Sequence, residues 1–328
     1  MAGVWPAGFR RVPDDDWIGL RADTLGLTYD TVRDHGWYRN LDPTIERLVT
    51  CLRPGDVLLD YSGGTGILAQ RLLAERPATD IGILIVDASP KFLRIALDKL
   101  GDDERVAFRL IQYLKDERRL QTVQEAVEAP LLERGFDAVA STNAIHLYYD
   151  LEDTLRSWRE ALRPGGRAFI QSGNIGVAEL PPGSWIIDET VDAINAAGAE
   201  LVRTDDRYAQ YRDGLEDPAR RAAYDELRRK FFLPVRPLAH YLSALEQAGF
   251  RVERVDHVSI AADTAEWTEF LSAYHDGVLG WVGGSERIEG VPPTGEAVAD
   301  RLRLLRESVD RVFRGGSFEA VWTYIDAE

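Results

Sequence analysis

Two carboxylates and three glycines stand at a spacing that builds a site for a small nucleoside-like ligand. Asp60 closes the apolar run Val57-Leu58-Leu59, and Gly63, Gly64 and Gly66 follow before the chain resumes helical spacing at Ile67. An apolar run ending in an acid reads as a buried strand whose last side chain reaches the sheet edge. The glycines admit φ > 0 and let the backbone approach a ligand, while the following helix aims its first N–H groups over the strand ends. A second run, Ile81-Gly82-Ile83-Leu84-Ile85-Val86, ends in Asp87, 21 residues beyond Gly66. A ribose-binding acid is wanted at that distance.

Two ligands compete for such a loop. From Gly64, the string Gly-Thr-Gly-Ile-Leu-Ala fits the dinucleotide pattern G-x-G-x-x-G/A. Asp60 argues the other way, because a carboxylate facing a pyrophosphate costs roughly 3 kcal/mol per like-charge pair at ~5 Å and an effective ε of ~20. A ligand carrying an ammonium and a sulfonium is attracted instead, which favours S-adenosyl-L-methionine.

The segment Leu58-Leu59-Asp60-Tyr61-Ser62-Gly63-Gly64-Thr65-Gly66 resembles the first motif, D-x-G-x-G-x-G, of the class I S-adenosylmethionine-dependent methyltransferases, with Ser62 standing where the first glycine is usual. Ile85-Val86-Asp87-Ala88-Ser89 resembles the second motif, Phe136 to Asn143 the fourth strand, and Leu162-Arg163-Pro164-Gly165-Gly166-Arg167 the turn into the fifth. The resemblance covers roughly residues 45 to 175, in order. It implies an α/β, Rossmann-like methyltransferase fold, a mostly parallel seven-stranded sheet whose last strand is antiparallel. It also implies a cofactor site of Asp60, Ser62, Gly63, Gly64, Gly66, Asp87, Ala88, Gln112, Tyr113, Ser141 and Asn143. His146 and Asn143, just beyond the fourth strand, face the ligand side of such a sheet and are the candidates for catalysis. His146 is a candidate base because its ordinary pKa lies near neutrality.

The elements that must position these residues follow from pattern. Residues 1–50 read as an irregular arm and a helical cap, from which Tyr29, Tyr38 and Arg39 would reach the cofactor carboxylate or the substrate. Residues 51–175 read as the cofactor-binding core, with a second crossover helix from Pro90, capped by Ser89, a third strand over Val106 to Ile111, and a charged helix over Glu117 to Leu132. Residues 176–235 form a helical lid insertion. Residues 236–328 complete the core, with a second insertion at 262–313. The insertions carry Trp185, Tyr208, Tyr211, Phe231, Phe232, Trp267, Tyr274 and Trp281, enough aromatic surface to enclose a small molecule.

Composition bounds the function. The chain has 328 residues and a net charge of −16, which opposes nucleic-acid binding. No apolar run has the ~20 residues of a membrane span, and the Asp-rich start has no signal-peptide core. A cytoplasmic protein without a membrane or nucleic-acid partner is expected, with a homodimer as one candidate assembly. Its single cysteine, Cys51, excludes an intrachain disulfide, and no histidine has metal-ligand spacing. The reading is methyl transfer to a small-molecule acceptor, in the biosynthesis of a specialised metabolite. The alternatives are a same-fold enzyme using S-adenosylmethionine for cyclisation or alkyl transfer, and a non-catalytic cofactor-binding subunit.

Overall fold

The computed structural model describes residues 4–21, 24–76 and 80–328. Its centre is one seven-stranded sheet: β1 (Val57–Tyr61), β2 (Gly82–Asp87), β3 (Val106–Leu110), β4 (Phe136–Thr142), β5 (Leu162–Ser172), β6 (Val252–Asp263) and β7 (Ser317–Ala327). They lie in the order β6-β7-β5-β4-β1-β2-β3, and β7 alone runs antiparallel to its neighbours. The order reverses between β1 and β4, so the carboxyl ends of those two strands open a crevice. All five residues of β1 are buried, as expected of a central parallel strand covered on both faces.

Helices Ile67–Glu75, Pro90–Leu100 and Leu151–Ala161 carry the crossovers, and Ser89 caps the second, accepting from the Phe92 amide. The N-terminal arm docks on the outer edge of β3, where the Phe108 N–H donates to the Arg11 carbonyl at 2.9 Å. Over the carboxyl ends of the sheet sits a helical layer, including Ile187–Thr204, Pro218–Phe231, Thr264–Ala273 and Gly295–Val312. Among the described residues no helix is long and apolar enough to cross a membrane.

Two local expectations are corrected. Glu117 to Leu132 is not one helix: Tyr113–Leu114 and Arg119–Leu120 pair as a hairpin, followed by short helices Val123–Ala126 and Ala129–Arg134. Arg118 turns the hairpin at φ 57°, Thr122 and Glu125 form a capping box that starts the helix late, and Val127 is extended, which ends it. Strand β5 begins at Leu162, so the segment Leu162 to Arg167 expected as the turn into it is already part of it, and its pairing with β4 slips between Phe136 and Ala138 to pass the Pro164-Gly165-Gly166 segment.

Candidate active site

The glycine loop is held by the two acids that bracket it. Asp87 accepts from the Gly64 amide at 2.9 Å through one oxygen and from the Ser89 amide at 2.7 Å through the other. Asp60 lies underneath, 0% exposed, and among the described residues neither of its oxygens has a hydrogen-bond partner. A Cβ on Gly63 would stand 2.7 Å from Asp60 Oδ2, so only glycine lets the loop cross this carboxylate so closely. Burial pushes the Asp60 carboxyl up to about 7, helped by repulsion from Asp87, and burial pushes Asp87 up to about 6 against the pull of its amide partners.

Ser62 takes φ 59°, a left-handed conformation that costs a side-chain-bearing residue roughly 1–2 kcal/mol. Its side chain is used, since the Tyr148 hydroxyl donates to Ser62 Oγ at 2.9 Å and also bonds Ser141 Oγ at 2.9 Å. The serine therefore ties the loop to the segment after β4, a role glycine has no atom to perform.

A cavity of about 1260 Å³ opens over these strand ends. Ser62, Gly64, Asp87, Ala88, Tyr113, Asn143, His146 and Tyr29 line it. Asp60, Gly63, Gly66 and Ser141 lie beneath its wall and shape it without facing it. Gly66, at φ 79°, packs toward Leu100, Ile85 and Ala96. Two expectations do not reach the cavity. Gln112 is outside its lining, paired through its backbone with Gln121, and Arg39 is 79% exposed beside Asp42. Tyr29 stacks on Phe92 at 5.1 Å, and burial pushes the Tyr38 hydroxyl up to about 12. Asn143 sits at φ 52°, and its Oδ1 accepts from Trp322 Nε1 at 3.0 Å.

The far end of the cavity is aromatic. Trp37 stacks on Trp322 with centroids 6.0 Å apart, Trp267 stacks on Phe270 at 5.1 Å, and Tyr274 meets Phe231 and Phe232 edge-on. Of the aromatics singled out in the insertions, Trp267, Tyr274, Phe231 and Phe232 line this wall, whereas Trp185, Tyr208, Tyr211 and Trp281 do not. Tyr38 of the cap also lines the cavity, as do Trp37, Phe92, Tyr148, Trp322 and Asp188, which were not singled out in the sequence.

His146 is held by Ser172, whose Oγ lies 2.9 Å from Nδ1 and also accepts from the Asn174 amide at 3.0 Å. Burial, with Arg236 adding to it, lowers the imidazole pKa to about 4, so the ring is neutral across the physiological range. Such a ring is a weak base. His146→Ala is accordingly expected to lower turnover less than about tenfold, against the 10² to 10⁴ typical of a lost general base. The wild-type rate should show no inflection from this group between pH 5.5 and 8. A loss above a hundredfold would restore His146 as the base.

The residues present fit S-adenosyl-L-methionine, because a buried, unpartnered Asp60 beside Asp87 is stabilised by a cationic ligand and repels a pyrophosphate. The methyltransferase domain family matches residues 59–168. The chain is 27% identical over 209 residues to 27-O-demethylrifamycin SV methyltransferase of Amycolatopsis mediterranei, covering 60% of this chain and 70% of that one. It is 28% identical over 183 residues to the ubiquinone/menaquinone biosynthesis C-methyltransferase UbiE of Xylella fastidiosa, covering 52% and 66%. The matches thus span about two thirds of these relatives' own lengths. In fold the chain is similar to the [4+2]-cyclase SpnF, with a TM-score of 0.50 at 16% identity over 93% of this chain and 95% of that one. The methyltransferase-domain match, the four motifs in order and the β6-β7-β5-β4-β1-β2-β3 sheet together support a class I S-adenosylmethionine-dependent methyltransferase.

Proposed function

We propose that this chain transfers the methyl group of S-adenosyl-L-methionine to a small-molecule acceptor in the biosynthesis of a specialised metabolite. One observation carries the reading: the glycine loop opens into a cavity of about 1260 Å³ whose far end is walled by the helical layer. Sites for one small molecule run to about 300–1,000 Å³, so there is room for a donor and an acceptor together. The acid–glycine end takes the donor, with Asp87 on the ribose hydroxyls and Ala88 and Tyr113 along the nucleoside. Tyr29 and Asn143 lie at the methionine part. The aromatic end takes the acceptor. A polymer would need an open groove, and the net charge of −16 does not favour nucleic acid.

When bound, S-adenosylmethionine supplies an activated methyl group on sulfur. The protein's task is to hold a nucleophile within about 3–3.5 Å and in line, and to keep water out. The Tyr148–Ser62 bond fixes the loop against the wall segment, while Trp322 fixes the Asn143 side chain. The buried aromatic surface supplies the dry environment in which dispersed charge is favoured.

Incubation with methyl-labelled S-adenosylmethionine and a cell metabolite extract, followed by mass spectrometry, tests the reading. One acceptor should gain one labelled CH₂. The fold is shared with a protein named as a cyclase, so an unlabelled product isomeric with its precursor would replace methyl transfer by cyclisation. Cofactor binding without any product would leave a binding subunit.

A further inference from the structure

The acceptor end of the cavity contains a carboxylate with no counter-ion. Asp188, in the first turn of Ile187–Thr204, lines the cavity, and among the described residues it has no hydrogen-bond or ion-pair partner. It is anchored over β5, because the adjacent Ile187 amide donates to the Gly173 carbonyl at 2.9 Å. Strand β5 is two strands from β1, and at about 4.8 Å per strand this sets Asp188 roughly 10 Å to the side of the glycine loop. A helix start alone would favour an acid here, but it would not explain the neighbouring group. Asn174, 2% exposed, also lines the cavity; its Nδ2 donates to the Leu233 carbonyl at 3.3 Å, and its Oδ1 has no partner. Two acceptors thus stand unsatisfied, each one residue beyond the Ile187–Gly173 bond that joins their segments.

The surroundings choose the ligand. Trp37, Trp267, Trp322, Phe270, Phe231 and Tyr274 face the same end, and aromatic faces attract organic cations. The arginines that line the cavity, Arg118, Arg119 and Arg156, belong to the hairpin and helix on the other side. Arg119 is there engaged by Glu117 and Glu125, and Arg156 by Asp153. Asp188 is also held above the usual carboxylate range, at about 7, first by burial and then by Asp192, as expected of an acid awaiting a cation.

We propose that the acceptor is an amine-bearing small molecule, whose ammonium group pairs with Asp188 and Asn174 Oδ1 inside the aromatic wall. This rests on the reading of the aromatic end as the acceptor site. Asp188 is a specificity residue: an alcohol of the same shape leaves the carboxylate buried and unpaired, and so binds less well.

The test uses the full chain saturated with S-adenosylhomocysteine and titrated by calorimetry with matched probes. These are tyramine against 2-(4-hydroxyphenyl)ethanol, and adamantylmethylamine against adamantylmethanol. In the wild type the amine of at least one pair should bind roughly tenfold or more tightly than its alcohol, by the strength of a charge-assisted hydrogen bond. Asp188→Asn should abolish that preference while leaving S-adenosylhomocysteine affinity unchanged. Asp192→Asn, at an exposed acid one turn on, should keep it, which separates a local counter-ion from the general negative charge. Equal binding of amine and alcohol, no amine binding at 10 mM concentrations (roughly the weak limit of such titrations), or a preference that survives Asp188→Asn would overturn the proposal. Failure to bind S-adenosylhomocysteine would instead overturn the donor-site reading on which it rests.

Discussion

Asp87→Ala is expected to weaken S-adenosylmethionine binding by roughly a hundredfold or more, read by calorimetry. The side chain has two tasks, and the substitution removes both. Its oxygens accept from the Gly64 and Ser89 amides, latching the glycine loop to the start of the helix Pro90–Leu100. Hydrogen bonds to a charged group are worth about 1.5–3 kcal/mol each, and a hundredfold in affinity is about 2.7 kcal/mol. The lone pairs left over face the cavity, where the ribose hydroxyls are proposed to lie. Losing the acid unlatches the loop and removes the ribose acceptor together. Asp87→Asn, which keeps one acceptor oxygen, should fall between the wild type and Asp87→Ala. A loss below about fivefold for Asp87→Ala, or tight binding of NAD in place of S-adenosylmethionine, would remove the donor assignment.

The second large effect concerns Asp60 and pH in the ligand-free protein. The folded carboxyl titrates at about 7, above the ordinary value near 3.8. The folded state therefore holds its proton where the unfolded chain has released it, and stability falls as pH rises from about 4 to about 7. Below that window both states are protonated, and above it the penalty is constant. At about 1.4 kcal/mol per pH unit the window amounts to at most about 4 kcal/mol, shared with the Asp87 that Asp60 repels. Asp60→Asn keeps the shape and drops the charge. It should raise the thermal midpoint at pH 7.5 by several degrees, with the gain fading as pH falls toward 4. Parallel midpoint-versus-pH curves for the two proteins would show that Asp60 carries no such penalty.

What was legible in the sequence was local. An apolar run, an acid and glycines specify strand, loop and helix within a dozen residues, and the Ser89-Pro90 start of the next helix is equally short-range. The acceptor wall was not legible, because its parts are assembled by the sheet. Trp37 and Trp322 stack although 285 residues separate them, and nothing near either residue marks the other. Gln112 was misplaced for a different reason: it follows β3 as expected, but the hairpin turn takes its backbone into a pairing with Gln121. Arg39 lies in a run of 3₁₀ turns without a clear face, so its outward direction had no periodic signal. Ser62 was read as a departure from a glycine, and only its partner Tyr148 shows why a serine accepts a left-handed backbone there.

The N-terminal arm bears on self-association. An outer strand normally presents a row of open N–H and C=O groups on which another strand can grow. Here Arg11 covers β3 through its carbonyl, and its guanidinium bonds the Asp103 and Val106 carbonyls, while Arg109 grips the Arg10 and Arg11 carbonyls from beneath. The chain thus blocks that edge with its own first residues. Two copies could not extend the sheet there without first peeling the arm away, so a sheet continued between intact subunits would have to use another edge.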